Sequence, residues 1–284
     1  MRCERRGAFP PIAVFFLAVS LLTAPSAGAD PLTFSCAMGD VEAVRSALAG
    51  GANPNAPDEY GFPPLCRTVS AGVDAPLSMH LEVIRLLVGS GAKIDAPSPG
   101  GDTPLLLSLR KGRTFTEVTE LLLELGADPN GPGPTGPFGG LSDGERPLDA
   151  AAREPASVRQ LELLLSKGAD VRLRDGTGLS PLETAVSSPS PSVEKVRLLL
   201  DAGADVNETF SLWEEEGVTP LMAAAALGSP DLVRLLLDRG ALAALSSRSG
   251  LRARDYALRA GREENAARLP CLSSTLTFFH GARG

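Results

Sequence analysis

The chain has 284 residues, 43% hydrophobic but only 5% aromatic, with a formal net charge of −7. An acidic balance excludes the basic stripe that nucleic-acid binding needs and favours a protein partner of basic or mixed charge. The length allows a sizeable core.

The first element is MRCERRGAFPP, a basic start. The apolar run IAVFFLAVSLLTA follows at 12–24, then APSAGA, with Ala27 and Ala29 in the A-x-A arrangement. This order predicts a secretory signal peptide at residues 1–29, cleaved before Asp30; cleavage after Ala27 is the alternative. An uncleaved anchor is the rival reading, but a membrane-spanning helix needs about 20 apolar residues and this run has 13. The expected product is exported, periplasmic or secreted, and not membrane-bound after cleavage. Loss of three Arg and one Glu takes the net charge from −7 to −9.

From Asp30 onward one phrase returns. A leucine run ending in Gly-Ala appears as ALAGGANPN at 47–55, LVGSGAKID at 87–95, LLELGADPN at 122–130, LLSKGADVR at 164–172, LLDAGADVN at 199–207 and LLDRGALAA at 236–244. Its Gly falls at 51, 91, 126, 168, 203 and 240, at intervals of 40, 35, 42, 35 and 37. A Pro-Leu pair precedes each run, at 31, 64, 104, 147, 181 and 220, often behind a helix-capping residue: Asp30, Thr103, Ser180, Thr219. Pro suits the first helical position, where its missing N–H would be unpaired anyway. Each unit therefore predicts a short helix, a turn, and a second helix that carries leucines and is stopped by Gly, which takes the left-handed conformation at no steric cost. Leucines 122, 123, 164, 165, 199, 200, 236 and 237 are expected to be buried. A period in this range means stacked units rather than one globular core.

T-P-L, two helices, then L-L-x-x-G-A-D-x-N resembles the ankyrin repeat. The resemblance implies an all-α solenoid of about seven helix–turn–helix units with finger loops, over residues 30–269. The seventh unit, 250–269, resembles a closing repeat: Ala253 and Arg254 take the Pro and Leu places, and Arg254 is expected to face solvent. Residues 270–284 form a tail without repeat character. Cys66 stands where the family has a histidine that hydrogen-bonds between repeats, so that bond is in doubt. Cys36 stands at a small helix position. Free thiols are expected, with a Cys36–Cys66 bridge as the alternative.

The units differ mainly in their fingers. From the Gly to the next Pro position the regular count is 13, but it is 21 from Gly126 to Pro147 and 17 from Gly203 to Pro220. A further excess lies between helices, at about 70–81. Insertions cost a solenoid little and often lie on a binding face. The fifth finger, NETFSLWEEEGVTP at 207–220, holds the chain's only Trp. Phe210, Leu212, Trp213 and the run Glu214, Glu215, Glu216 are therefore the main candidate contacts, the three carboxylates being expected on a solvated loop. Local packing is the plainer alternative for Trp213. Phe138 in the third finger and Tyr60 at the tip of the first are secondary candidates.

Chemistry has few footholds. His80 and His280 are the only histidines, and no zinc spacing, P-loop or G-x-S-x-G occurs. No cofactor or metal is expected and no enzyme activity is indicated; an enzyme with an unrecognised site is the remote alternative. The expected function is an exported protein-binding module, a scaffold or partner of an envelope protein. An inhibitor or immunity protein blocking a toxic enzyme in the periplasm is the second reading. N-terminal sequencing of the protein from its own compartment should return Asp30 or Gly28; intact Met1 on a membrane-bound protein would establish the anchor.

Overall fold

A computed structural model describes residues 31–71, 76–131, 144–153, 156–212 and 214–270. Helices alternate through it as seven pairs: α1 (Pro31–Met38) with α2 (Val41–Ala49), α3 (Pro64–Ser70) with α4 (Leu77–Gly89), α5 (Pro104–Arg110) with α6 (Thr116–Glu124), α7 (Pro147–Ala152) with α8 (Val158–Ser166), α9 (Pro181–Ser187) with α10 (Val193–Asp201), α11 (Pro220–Leu227) with α12 (Pro230–Asp238), and α13 (Ala253–Arg259) with α14 (Glu263–Arg268). The expected caps form: the side chains of Thr103, Ser180 and Thr219 accept from the backbone N–H three residues on. Asp30 lies outside the described residues. Part of the excess between α3 and α4 becomes helix, since α4 has 13 residues where α2 has 9.

First helices pack more closely on one another than second helices do at every step along the array. The stack must therefore bend with the first-helix row on its inner, concave side. The first six second helices, α2 to α12, stop at the recurring Gly, which is left-handed at all six positions, from φ 87° at Gly168 to 97° at Gly126. There the chain turns back, and the N–H two residues past the last turn bonds to a carbonyl inside the helix, as in Ala127 N to Leu122 O at 3.0 Å.

The core is one apolar layer running between repeats. Leu122, Leu123, Leu164, Leu199 and Leu236 are buried in it, as expected. Leu165, Leu200 and Leu237 are only partly buried. A helix advances 100° per residue, so of three successive leucines one points at the neighbouring repeat and its flankers lie on the shoulders of the stripe. A polar thread crosses the layer too: Ser108 Oγ meets Thr119 Oγ1 at 3.0 Å, and Gln160 Nε2 donates to Thr119 Oγ1 at 2.9 Å.

Between repeats the Asn of G-A-x-x-N acts as a staple, not merely as a turn residue. Asn130 Nδ2 donates to Gly168 O at 3.0 Å and its Oδ1 accepts from Asp170 N at 2.8 Å. Asn55 and Asn207 make the same pair of bonds to the next repeat. Cys66 keeps a bond between repeats despite replacing histidine: its thiol donates to Ala96 O at 3.2 Å. Burial, then the Asp102 charge, pushes that thiol up to about 12. Cys36 and Cys66 are both buried thiols and not bridged to each other. Arg254 does not simply face solvent. Its Nη1 donates to Ala266 O and Leu269 O at 2.7 and 3.1 Å, closing the C-terminal carbonyls of α14.

Leu199→Ala should cost roughly 2–5 kcal/mol, as buried leucines do, and Leu200→Ala distinctly less. Urea unfolding of the two variants measures the difference; equal losses would place both side chains at equal depth.

Candidate protein-binding face

Regular fingers are tight turns. In the fourth, Asp175 N donates to Leu179 O and Gly178 N to Asp175 O, while Asp175 Oδ1 accepts from Thr177 N and Leu179 N. The first finger has the same frame, with Asp58 Oδ1 accepting from Tyr60 N and Phe62 N. Tyr60 at its tip is 67% exposed. The Arg67 guanidinium lies 4.3 Å from the Phe62 ring centre and 5.4 Å from that of Tyr60, and it pairs with Asp58 at 2.5 Å.

The fifth finger is built differently. Its four extra residues make a two-stranded hairpin, β1 (Phe210–Leu212) and β2 (Glu215–Val218), antiparallel with Phe210 opposite Val218 and Leu212 opposite Glu215. These are the only regular strands among the described residues. Glu214 at the turn has φ 67°, the one non-glycine residue at positive φ among the described residues. Such a conformation disfavours any side chain by about 1–2 kcal/mol, so the surrounding hairpin must hold it.

The hairpin does not stand free. Arg248 N of the sixth finger donates to Glu216 O at 2.9 Å, Ser249 N donates to Glu215 Oε1 at 2.8 Å, and the Arg248 guanidinium pairs with the Glu216 carboxylate. The bond from Ser249 holds the Glu215 carboxyl below its ordinary range. Gly217 at φ 74° lets the strand run close to the sixth finger, where a Cβ would sit 3.5 Å from Arg248 N.

This corrects two expectations. Glu214 and Glu216 are exposed, but the run is not a plain loop: Glu215 and Glu216 are strand residues tied to the next finger, and Glu214 alone of the three carries no such tie among the bonds described above. Phe210 offers no contact surface, because it is 6% exposed and joins the core with Val218 at the hairpin base. Leu212 is half-buried. It lines a groove of about 460 Å³ with Glu215, Leu227, Leu251, Tyr256 and Arg259, between the hairpin and the inner faces of α11 and α13. Phe138 and Trp213 lie outside the described residues.

Elsewhere the finger roots carry carboxylates that composition did not reveal. Arg110 pairs with Asp102 at 2.7 Å and with Glu145 at 2.8 Å, and Arg174 with Glu183 at 2.9 Å and Glu208 at 3.2 Å. Asp149, buried at the start of α7, accepts from Arg146 N at 3.2 Å, and burial pushes its carboxyl up to about 7. Glu183 and Asp149 occupy the same place in their repeats as Cys66, the third helical residue. There a carboxylate reaches back to the N–H before the Pro, which is a helix-capping use rather than a catalytic one. Among the described residues no group of His, Cys, Asp and Glu could hold a metal ion, and no helix is long and apolar enough to cross a membrane.

Known proteins with this arrangement are numerous. An ankyrin repeat protein of Neurospora crassa, nuc-2, is 32% identical over 200 residues, covering 68% of this chain and 16% of that protein. The chain spans less than half the length of such curated relatives. Among solved structures, the ankyrin repeat domain of Bcl-3, described as a unique member of the IkappaB family, superposes with a TM-score of 0.66 at 26% identity, over 85% of this chain and 99% of that one. An ankyrin repeat domain from Acinetobacter baumannii AYE does so with a TM-score of 0.59 at 25% identity, over 75% and 98%. The family described as ankyrin repeats (3 copies) matches residues 73–175 and 182–270. With seven stacked helix pairs, Gly-stopped second helices and finger loops, the chain belongs to the ankyrin-repeat family, a family of protein-binding modules.

Proposed function

We propose that the chain is an exported protein-binding module that holds another protein in its concave face, with the fifth finger as the main contact. One observation carries this reading: the fifth finger abandons the regular turn for a hairpin, docked on its neighbour, that overhangs an apolar groove with the Glu215 carboxylate at its edge. A hairpin fixed at its root presents its tip with little entropy left to lose on binding, which is how preorganised loops gain affinity. The partner then has an apolar projection for the groove and a basic or mixed rim for Glu214 and its neighbours. Export rests on the basic, apolar and A-x-A order of residues 1–29, and the compartment is the periplasm or the exterior.

Two roles suit such a face. A scaffold or partner of an envelope protein is the first. An inhibitor seated in the basic cleft of a toxic enzyme is the second, favoured by the exposure of Glu214 and Glu216. In either role the contribution is binding and not catalysis.

Affinity capture from the native compartment with the processed protein identifies the partner, and variants then test the face. Trp213→Ala should weaken the complex by about 2 kcal/mol or more, as truncated hot-spot aromatics do, with little change in melting temperature. Glu214→Gln should mainly slow association and flatten its salt dependence, since rim charges steer more than they hold. If Trp213→Ala melts the array instead, that side chain serves packing. If it changes neither property, the contact lies elsewhere on the face.

A further inference from the structure

Arg174 stands between two carboxylates. Its Nη1 donates to Glu183 Oε1 and Oε2 at 3.1 and 2.9 Å, and its Nη2 donates to Glu208 Oε2 at 3.2 Å. The Glu183 side chain is fully buried and that of Glu208 only 11% exposed. Ser180 completes the joint: its Oγ donates to Glu208 Oε1 at 2.5 Å and accepts from Glu183 N at 3.2 Å. The joint therefore links three elements, the fourth finger through Arg174, α9 through Ser180 and Glu183, and the fifth finger through Glu208.

One guanidinium balances one carboxylate. With Glu183 and Glu208 both ionised, the joint holds a net negative charge largely out of water, which is costly. The other charged groups acting on it make this worse: Asp205 of the fifth finger bears on Glu208, and Asp175 of the fourth finger bears on Glu183. Among the described residues, Arg174 is the one cation acting on this set. Burial, with help from Glu183 and Asp205, pushes the Glu208 carboxyl up to about 7 against the pull of Ser180 and Arg174. Glu208 lies two residues before β1, at the root of the hairpin.

We infer that Glu208 is a proton-operated latch, which fastens the fifth finger to the fourth finger and α9 when protonated and strains that joint when ionised. The sign follows from linkage. The closed joint binds the proton more tightly than an opened one, where the carboxyl returns to about 4.5. The closed joint is thus favoured in acid and loses that advantage as pH rises to about 7, then changes no further. The latch goes beyond the binding reading and needs no partner for its test. Through it, ambient acidity would set how firmly the hairpin is presented.

Amide hydrogen exchange on the full chain, followed in peptides from 207–219 and corrected for intrinsic rates, reads the opening. In the wild type the opening constant should rise by up to about tenfold per pH unit between about 4.5 and 7 and level off above. Glu208→Gln, isosteric with the neutral acid, should remove that slope while peptides from α1 to α4 behave as in the wild type. Arg174→Gln removes the cation that eases ionisation and should move the levelling point to higher pH, which keeps the test decisive if Glu208→Gln folds poorly. A wild-type opening constant independent of pH, a slope that survives Glu208→Gln, or a levelling point unmoved by Arg174→Gln would overturn the latch.

Discussion

No repeat of this chain can bury its own apolar face. A pair of helices as short as 6 and 9 residues, such as α7 and α8, encloses almost nothing, and its leucines leave water only when the next pair lies on top. Everything else follows from that dependence on neighbours. The helices must be short and similar in length, so that each layer covers the one before. The residues between layers must be small, as in the run Ala223–Ala226, all buried. The ends need special treatment, which Arg254 supplies by closing the last helix with its own guanidinium. Stability becomes a sum over interfaces, and staples such as Asn55, Asn130 and Asn207 matter because they act at those interfaces.

The fingers are released from this constraint. They begin after the Gly that ends one repeat and finish before the Pro that opens the next, so their length does not alter the layers. That freedom lets the fifth finger become a hairpin without disturbing α9 or α11. Its root nevertheless remains joined to the stack, through Phe210 and Val218 in the core and through Glu208 at Arg174 and Ser180. Its far side is joined to the sixth finger by Ser249 and Arg248. A surface that projects yet is held at both margins is what a contact built for one partner shape requires.

Most of the fold was legible in the sequence, because its signals recur. A Gly after every leucine run, and a Pro-Leu pair at the start of every first helix but the last, repeat the same local physics six times, and the finger lengths can be counted residue by residue. What was not legible depends on contacts between units. The half-burial of Leu200 against the burial of Leu199 needs the direction of the next repeat. The hairpin pairing of Glu215 with Leu212, and the burial of Phe210, depend on where the sixth finger stands. The joint at Arg174 brings together residues 174, 183 and 208, whose spacing resembles no motif. The staples could have been found: Asn follows the Gly by four residues at Gly51, Gly126 and Gly203, a regularity stricter than turn chemistry needs.

The central claim is that the array and its fifth finger are separable, the layers supplying stability and the hairpin supplying contact. Deleting residues 213–216 restores the regular spacing of 13 between Gly203 and Pro220 and leaves Phe210 and Val218 in the chain. Thermal unfolding of that deletion tests the claim most directly. The account predicts a single cooperative transition within a few degrees of the full chain, since a change of about 1 kcal/mol shifts a domain of this size by roughly 2–4 °C. A collapse of the transition, or its division into two, would show that the hairpin carries the stack and would contradict the account.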